Sequence, residues 1–160
     1  MMNVTVICLG KLKESYLREA IAEYSKRISA YGKLNIVELS PVKLPESPSA
    51  TQIDSALEKE AEEIIKKIPS GAFVIALCVE GKIKSSEELA SKFNELSLSG
   101  KSNVTFIIGS SYGLHEDIKK RANYKLSFSK LTFPHGLFRG ILLEQIYRSF
   151  KILNNETYHK

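Results

Sequence analysis

Three short runs, "VTVICL" at residues 4–9, "AFVIALCV" at 72–79 and "VTFII" at 104–108, are apolar at nearly every position. A strand points successive side chains to opposite faces, so such a run fits a sheet covered on both faces. The segments between these runs carry a different period. Residues 13–31 place Leu17, Ala20, Ile21, Tyr24, Ile28 and Tyr31 on one helical stripe. Parallel strands need a crossover long enough to hold a helix. Alternation of this kind therefore implies an α/β layer fold, a mostly parallel sheet flanked by helices.

The remaining elements follow the same rhythm. "LNIVEL" (34–39) reads as a second strand and residues 124–128 as the last one. Helices are predicted over 51–68, from a Ser85/Glu88 capping signal through 98 with Gly100 as the stop, in a short segment opening with Glu116 and Asp117, and over 137–153. "SPVKLPESPSA" (40–50) is a proline-rich loop. No repeat or linker divides the chain, so 1–160 reads as a single domain, long enough to bury a core without disulfides. Cys8 and Cys78 lie inside apolar runs and read as buried thiols. The two cysteines and three histidines have no metal-ligand spacing, so no metal is expected. Residues 4–9 are too short, and lack the basic lead, for a signal peptide, and no run is long enough to cross a membrane. The expectation is a soluble, cytoplasmic protein.

The formal charge of +5 is unevenly placed. Residues 119–160 carry nine Lys/Arg against two acids, while the first 118 carry fourteen against sixteen. A basic C-terminal third points to a polyanionic partner, most often nucleic acid; a solvated face that only aids solubility is the alternative. Lys119, Lys120, Arg121, Lys125, Lys130, Arg139, Arg148 and Lys151 are the natural phosphate contacts.

Ligands of open α/β sheets bind at the carboxyl ends of strands. Here those ends are Leu77–Gly81, Gly109–Gly113 and Phe128–His135. The glycine turn is neither the dinucleotide fingerprint nor a P-loop, which disfavours a flavodoxin-like nucleotide binder. In the last segment Phe128, Leu131 and Phe133 alternate with Ser129, Lys130 and Thr132. Apolar side chains interleaved with free backbone groups suit a flat heteroaromatic such as adenine, although the same aromatics would also serve as plain core.

Taken together, "GSSYGLH", "LSFSKLTFPH" and the terminal "YHK", with the opening "GKLKESY", resemble the ribosomal RNA large-subunit methyltransferase H family of the SPOUT (α/β-knot) methyltransferases. The resemblance covers essentially the whole chain. It implies a fold whose C-terminal part forms a trefoil knot, and methyl transfer from S-adenosylmethionine to N3 of a pseudouridine in 23S rRNA on the assembled ribosome. It further implies a homodimer in which each pocket is completed by the partner chain. By the same resemblance Leu77, Gly109, Phe128, Ser129, Lys130, Leu131, Thr132 and Phe133 bind the cofactor, and His135, Arg139, Tyr158 and His159 surround the reacting base. Two departures stand out: Ser110 where the family pattern has glycine, and Cys78 where an acid commonly follows the strand leucine. Another RNA such as tRNA, or a catalytically silent ribosome-binding module, are the competing readings.

The helix predicted over 137–153 spreads Leu137, Phe138, Ile141, Leu142, Leu143, Ile146, Tyr147, Phe150 and Leu153 beyond one stripe. Such a helix must be buried on more than one side, either between the sheet and a second copy of the chain or at the centre of a monomer.

Overall fold

The computed structural model describes all of residues 1–160. Five strands, β1 (Met2–Leu9), β2 (Gly32–Leu39), β3 (Phe73–Ile83), β4 (Asn103–Ile108) and β5 (Tyr124–Ser127), pair in the order β2-β1-β4-β3-β5, every neighbour parallel. The helices are α1 (Ser15–Ile28), α2 (Ala50–Lys67), α3 (Ser86–Leu98), α4 (Glu116–Arg121) and α5 (His135–Leu153). No helix is long and apolar enough to cross a membrane.

Strand alternation divides the core in two. Val4, Val6, Cys8, Ile75 and Phe106 face one layer, where α5 lies between α1 and α3. Ile7, Leu9, Val74, Ala76 and Ile107 face α2 and α4 through Ala61, Ile64 and Ile118. The fully apolar runs are thus covered on both faces, as their pattern requires. On the α5 side, rings chain the layers together: Tyr31 stacks on Phe150 at 5.8 Å, and Phe93 meets Phe150 at 5.9 Å and Phe106 at 6.0 Å. Such pairs add about 0.5–1.5 kcal/mol each beyond area burial.

The element bounds differ from the sequence-based expectation where side chains intervene. Helix α1 starts at Ser15, not 13, because Arg18 donates to the carbonyls of Leu12 (3.1 Å) and Lys13 (2.5 Å) and fixes them as loop. Strand β5 ends at Ser127, where the hydroxyl donates to the Ser129 carbonyl at 3.1 Å and turns the chain. Strand β3 runs on to Ile83. It leaves β5 after Leu77 and rejoins at Lys82, both of which oppose Leu126. The capping box of α3 forms as expected, and α2 carries a second one between Ser49 and Gln52.

The girth of α5 is largely explained within one chain. Leu142, Leu143, Ile146 and Phe150 are buried between sheet, α1 and α3, so the central-helix alternative accounts for most of its apolar surface. What remains open near its start is Leu137, 43% exposed, and in the loop before it Leu131, at 72%.

Candidate active site

A cleft of about 370 Å³ opens at the carboxyl ends of β3, β4 and β5, within the range of small-molecule sites. Three turns build it, each forced by its residues.

The first is the excursion of β3 between Leu77 and Lys82. Gly81 packs so closely on β5 that a Cβ there would lie 2.6 Å from the carbonyl carbon of Leu126. Only glycine permits this crossing. The excursion pushes Cys78, Val79 and Glu80 into the cleft wall. The Glu80 carboxylate is ion-paired with Lys119 of α4, whose hydrogen bond holds it below the usual carboxylate range. Burial, and then the neighbouring Glu80 charge, push the Cys78 thiol above its ordinary value.

The second turn follows β4. A Cβ on Gly109 would sit 2.5 Å from the Gly113 carbonyl oxygen, and Gly113 has φ +88°. The turn closes with Gly113 N–H donating to the Ser110 carbonyl at 2.9 Å. The hydroxyl of Ser110 reaches α2, where it donates to Glu60 at 3.0 Å. His115 then caps α4, accepting from the Asp117 amide at 3.1 Å.

The third is the segment after β5. Ser129 Oγ accepts from the Leu131 amide at 2.9 Å and pins the loop. Phe138 from α5 meets Phe128 edge-on at 5.0 Å and stacks with Phe133 at 6.1 Å. The backbone amides of Phe128, Ser129, Lys130, Thr132 and Phe133 have no partner within the chain. Apolar walls beside unpaired backbone donors are a combination that suits a planar, hydrogen-bonding ring.

Of the expected cofactor residues, Leu77, Gly109, Phe128, Ser129, Leu131, Thr132 and Phe133 all line the cleft, and Lys130 alone does not. The four residues expected around the base are not gathered in one chain. His135, exposed at the first position of α5, lines the cleft. Arg139 does not line the cleft. It is 2% exposed, with Nη1 donating to Glu38 at 2.6 Å and Nη2 to the Gly10 carbonyl at 3.1 Å, so it ties α5 to the ends of β1 and β2 and is not free to grip phosphate. Lys119, Arg148 and Lys151 are likewise committed to Glu80, Glu144 and Glu156.

The tail is docked, where sequence position alone favours a loose end. The Tyr158 hydroxyl donates to Glu144 at 3.0 Å, its ring meets Tyr147 at 5.0 Å, and the Arg148 guanidinium lies 4.7 Å above it. His159 bridges Glu87 (2.7 Å) and Arg148 (3.2 Å). Hydrogen bonding from His159 is the leading cause that lowers Glu87 to about 2.

Sequence reading missed Glu60, Glu80 and Phe138 as cleft or turn residues. Glu60 was the most legible of them. It shares the helical stripe of Ala56, Ala61 and Ile64, and all four are buried.

The parallel sheet carries a glycine-turned cleft at the ends of β3, β4 and β5, and the family match places the chain among the SPOUT methyltransferases. Residues 2–159 match the family described as "Predicted SPOUT methyltransferase". Over 159 residues, 99% of this chain and the whole of each relative, the chain is 58% identical to a Methanococcus maripaludis protein provisionally named ribosomal RNA large subunit methyltransferase H. It is 55% identical, over the same shares, to the ribosomal RNA large subunit methyltransferase H of Clostridium novyi. The solved structure of a probable methylase family protein from Haemophilus influenzae shares the fold, with TM-score 0.53 at 16% identity over 99% of this chain and 71% of that one. The chain belongs to the ribosomal RNA large subunit methyltransferase H family.

Proposed function

We propose that this protein transfers the methyl group of S-adenosylmethionine to N3 of a pseudouridine in 23S rRNA, acting in the cytoplasm on the assembled ribosome. The observation that carries the reading is the cleft. Seven of the eight residues expected to hold the cofactor line it, in a chain that matches methyltransferase H relatives end to end.

S-adenosylmethionine, when bound, supplies a methyl group already activated on sulfonium, so the chain needs no nucleophile of its own. The residues present fit it. Phe128, Leu77 and Ile108 offer the apolar walls for adenine, and the free amides of Phe128, Ser129, Thr132 and Phe133 offer donors for edge recognition. Glu80 places a carboxylate in the cleft wall two residues after Cys78, in the turn where the family pattern puts its acid. What remains for the protein is alignment of methyl carbon and acceptor nitrogen and acceptance of the imide proton. His135 at the cleft rim takes that proton role.

The rest of the base site comes from a second copy. Glu144, which anchors Tyr158, lies nine residues along α5 from His135, about 14 Å at helical rise. A homodimer closed over the exposed Leu131 and Leu137 would bring a partner's tail towards each cleft. The C-terminal trefoil knot of the family belongs to the same reading, as does the absence of any metal requirement. Lys120, Arg121, Lys125 and Lys130, exposed and outside every ion pair, remain for phosphate.

The test is transfer of labelled methyl to unmodified ribosomes, free 23S rRNA and tRNA, followed by mass mapping of the product. A methyl group on a 23S pseudouridine, formed only on ribosomes, is expected. Methylated tRNA, or ribosome binding without transfer, would replace this reading with another RNA target or a silent binding module.

A further inference from the structure

Glu60 is an unusual residue for its place. It is 5% exposed on α2, and no Lys, Arg or His pairs with it. A buried carboxylate is costly unless its oxygens are hydrogen-bonded. Both are used: Oε1 accepts from Ser110 Oγ at 3.0 Å and Oε2 from the Val42 amide at 3.0 Å.

Each bond holds a segment that has little else. The turn 109–113 projects from β4 with Ser111, Tyr112 and Gly113 exposed, and the Ser110–Glu60 bond is its one side-chain hydrogen bond to the rest of the protein. The proline-rich stretch 40–48 has no regular structure, and its backbone is held to the body through Val42. One carboxylate therefore fixes two loops to α2 and to each other.

We propose that Glu60 is a positioning residue of the cofactor turn: through Ser110 it holds the 109–113 turn in the shape that receives the methyl donor, and through Val42 it couples that shape to the proline-rich loop. This rests on reading the cleft as the donor site. It assigns Ser110, the departure from the family's glycine, a definite task. The side-chain tether used here is one that a glycine could not make.

The experiment measures S-adenosylmethionine affinity by calorimetry, and thermal unfolding, for the full chain and for Glu60→Ala, Glu60→Gln, Ser110→Ala and the Glu60→Ala/Ser110→Ala pair. Both alanine variants should weaken donor binding on the order of tenfold, the scale of one hydrogen bond to a charged group. The double variant should be no weaker than Glu60→Ala, because that change already removes the shared bond. Glu60→Gln keeps an acceptor for Val42 and a donor for Ser110 and should bind nearly as the parent does. In turnover, the loss should appear in the donor KM with kcat little changed. Unchanged donor affinity in Glu60→Ala, or effects that multiply in the double variant, would leave Glu60 a purely structural anchor and overturn the proposal. Should Glu60→Ala not fold, Ser110→Ala decides alone, since its hydroxyl sits at the half-buried rim and its loss spares the core. Failure of the unmodified chain to bind the donor would sink the donor-site reading itself, a separate outcome visible before any variant is compared.

Discussion

Replacing Gly109 with alanine is the sharpest way to ask whether the β4 turn shapes the cleft. The new Cβ would meet the Gly113 carbonyl oxygen at 2.5 Å, its carbon at 2.6 Å and Leu114 Cγ at 3.0 Å. Real Cβ atoms essentially never approach closer than 3.0 Å, and two of the three obstacles are backbone. The turn must therefore open by about half an ångström or more. Overpacking of this kind costs about 1–3 kcal/mol. At 2 kcal/mol a chain of this size loses about 4–8 °C in Tm. The larger effect falls on the site, because a shift approaching 1 Å costs about a hundredfold in a reaction that depends on alignment. Gly113→Ala provides the contrast within the same turn. A Cβ there meets nothing within 4 Å, and the cost is confined to strain at φ +88°, about 1–2 kcal/mol. Donor affinity and single-turnover methyl transfer, measured with Tm on both variants, separate clash from strain. Gly109→Ala should lose far more binding and transfer than Gly113→Ala at comparable stability. Parent-like affinity and transfer in Gly109→Ala would refute the claim that this close crossing sets the shape of the cleft.

The remaining predictions probe the cleft wall and the tail. Iodoacetamide at pH 8 should modify Cys78, half-exposed in the cleft, more slowly than a free cysteine because its thiol is pushed up. It should leave Cys8 untouched, since burial raises that thiol to about 11, and mass spectrometry with and without S-adenosylmethionine should show the donor protecting Cys78. The folded-state value of Glu87 is lowered from 4.5 to about 2, so its contribution to tail docking is full above 4.5 and fades as pH falls towards 2; His159→Ala should raise the Glu87 carboxyl, followed by NMR, towards its ordinary range while the Glu87 backbone and Ser85 bonds still hold it below. Deleting Tyr158, His159 and Lys160 should abolish methyl transfer while donor affinity stays within about twofold, less than the loss of one hydrogen bond; full activity in the truncated chain would remove the tail from the base site.

Layering was legible in the sequence because it rests on periodicity alone. Runs such as "VTFII" need cover on both faces, and the structure supplies it through α5 on one side and α2 with α4 on the other. The cleft was legible as three strand ends, since turns of glycine, serine and proline at those ends restrict what the chain can do next. The long-range partners were not legible. Arg139 reads as one more base in a basic third, and only the fold brings Glu38, 101 residues away, within 2.6 Å of it. Glu60 sits in the charged run "EKEAEE", where composition says solvent and only the helical phase says core. The continuation of β3 was hidden for a similar reason: "CVEGKI" turns polar at Glu80 and reads as a strand end, and its return to β5 follows from where Leu126 passes.

The spread of the expected base-site residues is itself informative about catalysis. Within one chain the cleft gathers almost everything needed to hold a planar ring and very little that moves a proton, His135 being the one imidazole at its wall. The other candidates are bound elsewhere by short, specific contacts: Arg139 to Glu38 and Gly10, Tyr158 to Glu144, and His159 to Glu87 and Arg148. A methyl donor that carries its own activation tolerates such a division, because positioning supplies most of the rate and positioning can be assembled from two surfaces. Leu131 lines the cleft and is 72% exposed, so a second copy seated on it would also border a bound donor. On this arrangement dimer formation and completion of the base site are one event. Transfer rate should then fall with the square of protomer concentration below the dissociation constant of the dimer, while donor binding to the single-chain cleft falls less steeply. Light scattering and turnover measured over the same dilution series decide it, and a monomer with undiminished turnover per chain would end the two-chain account.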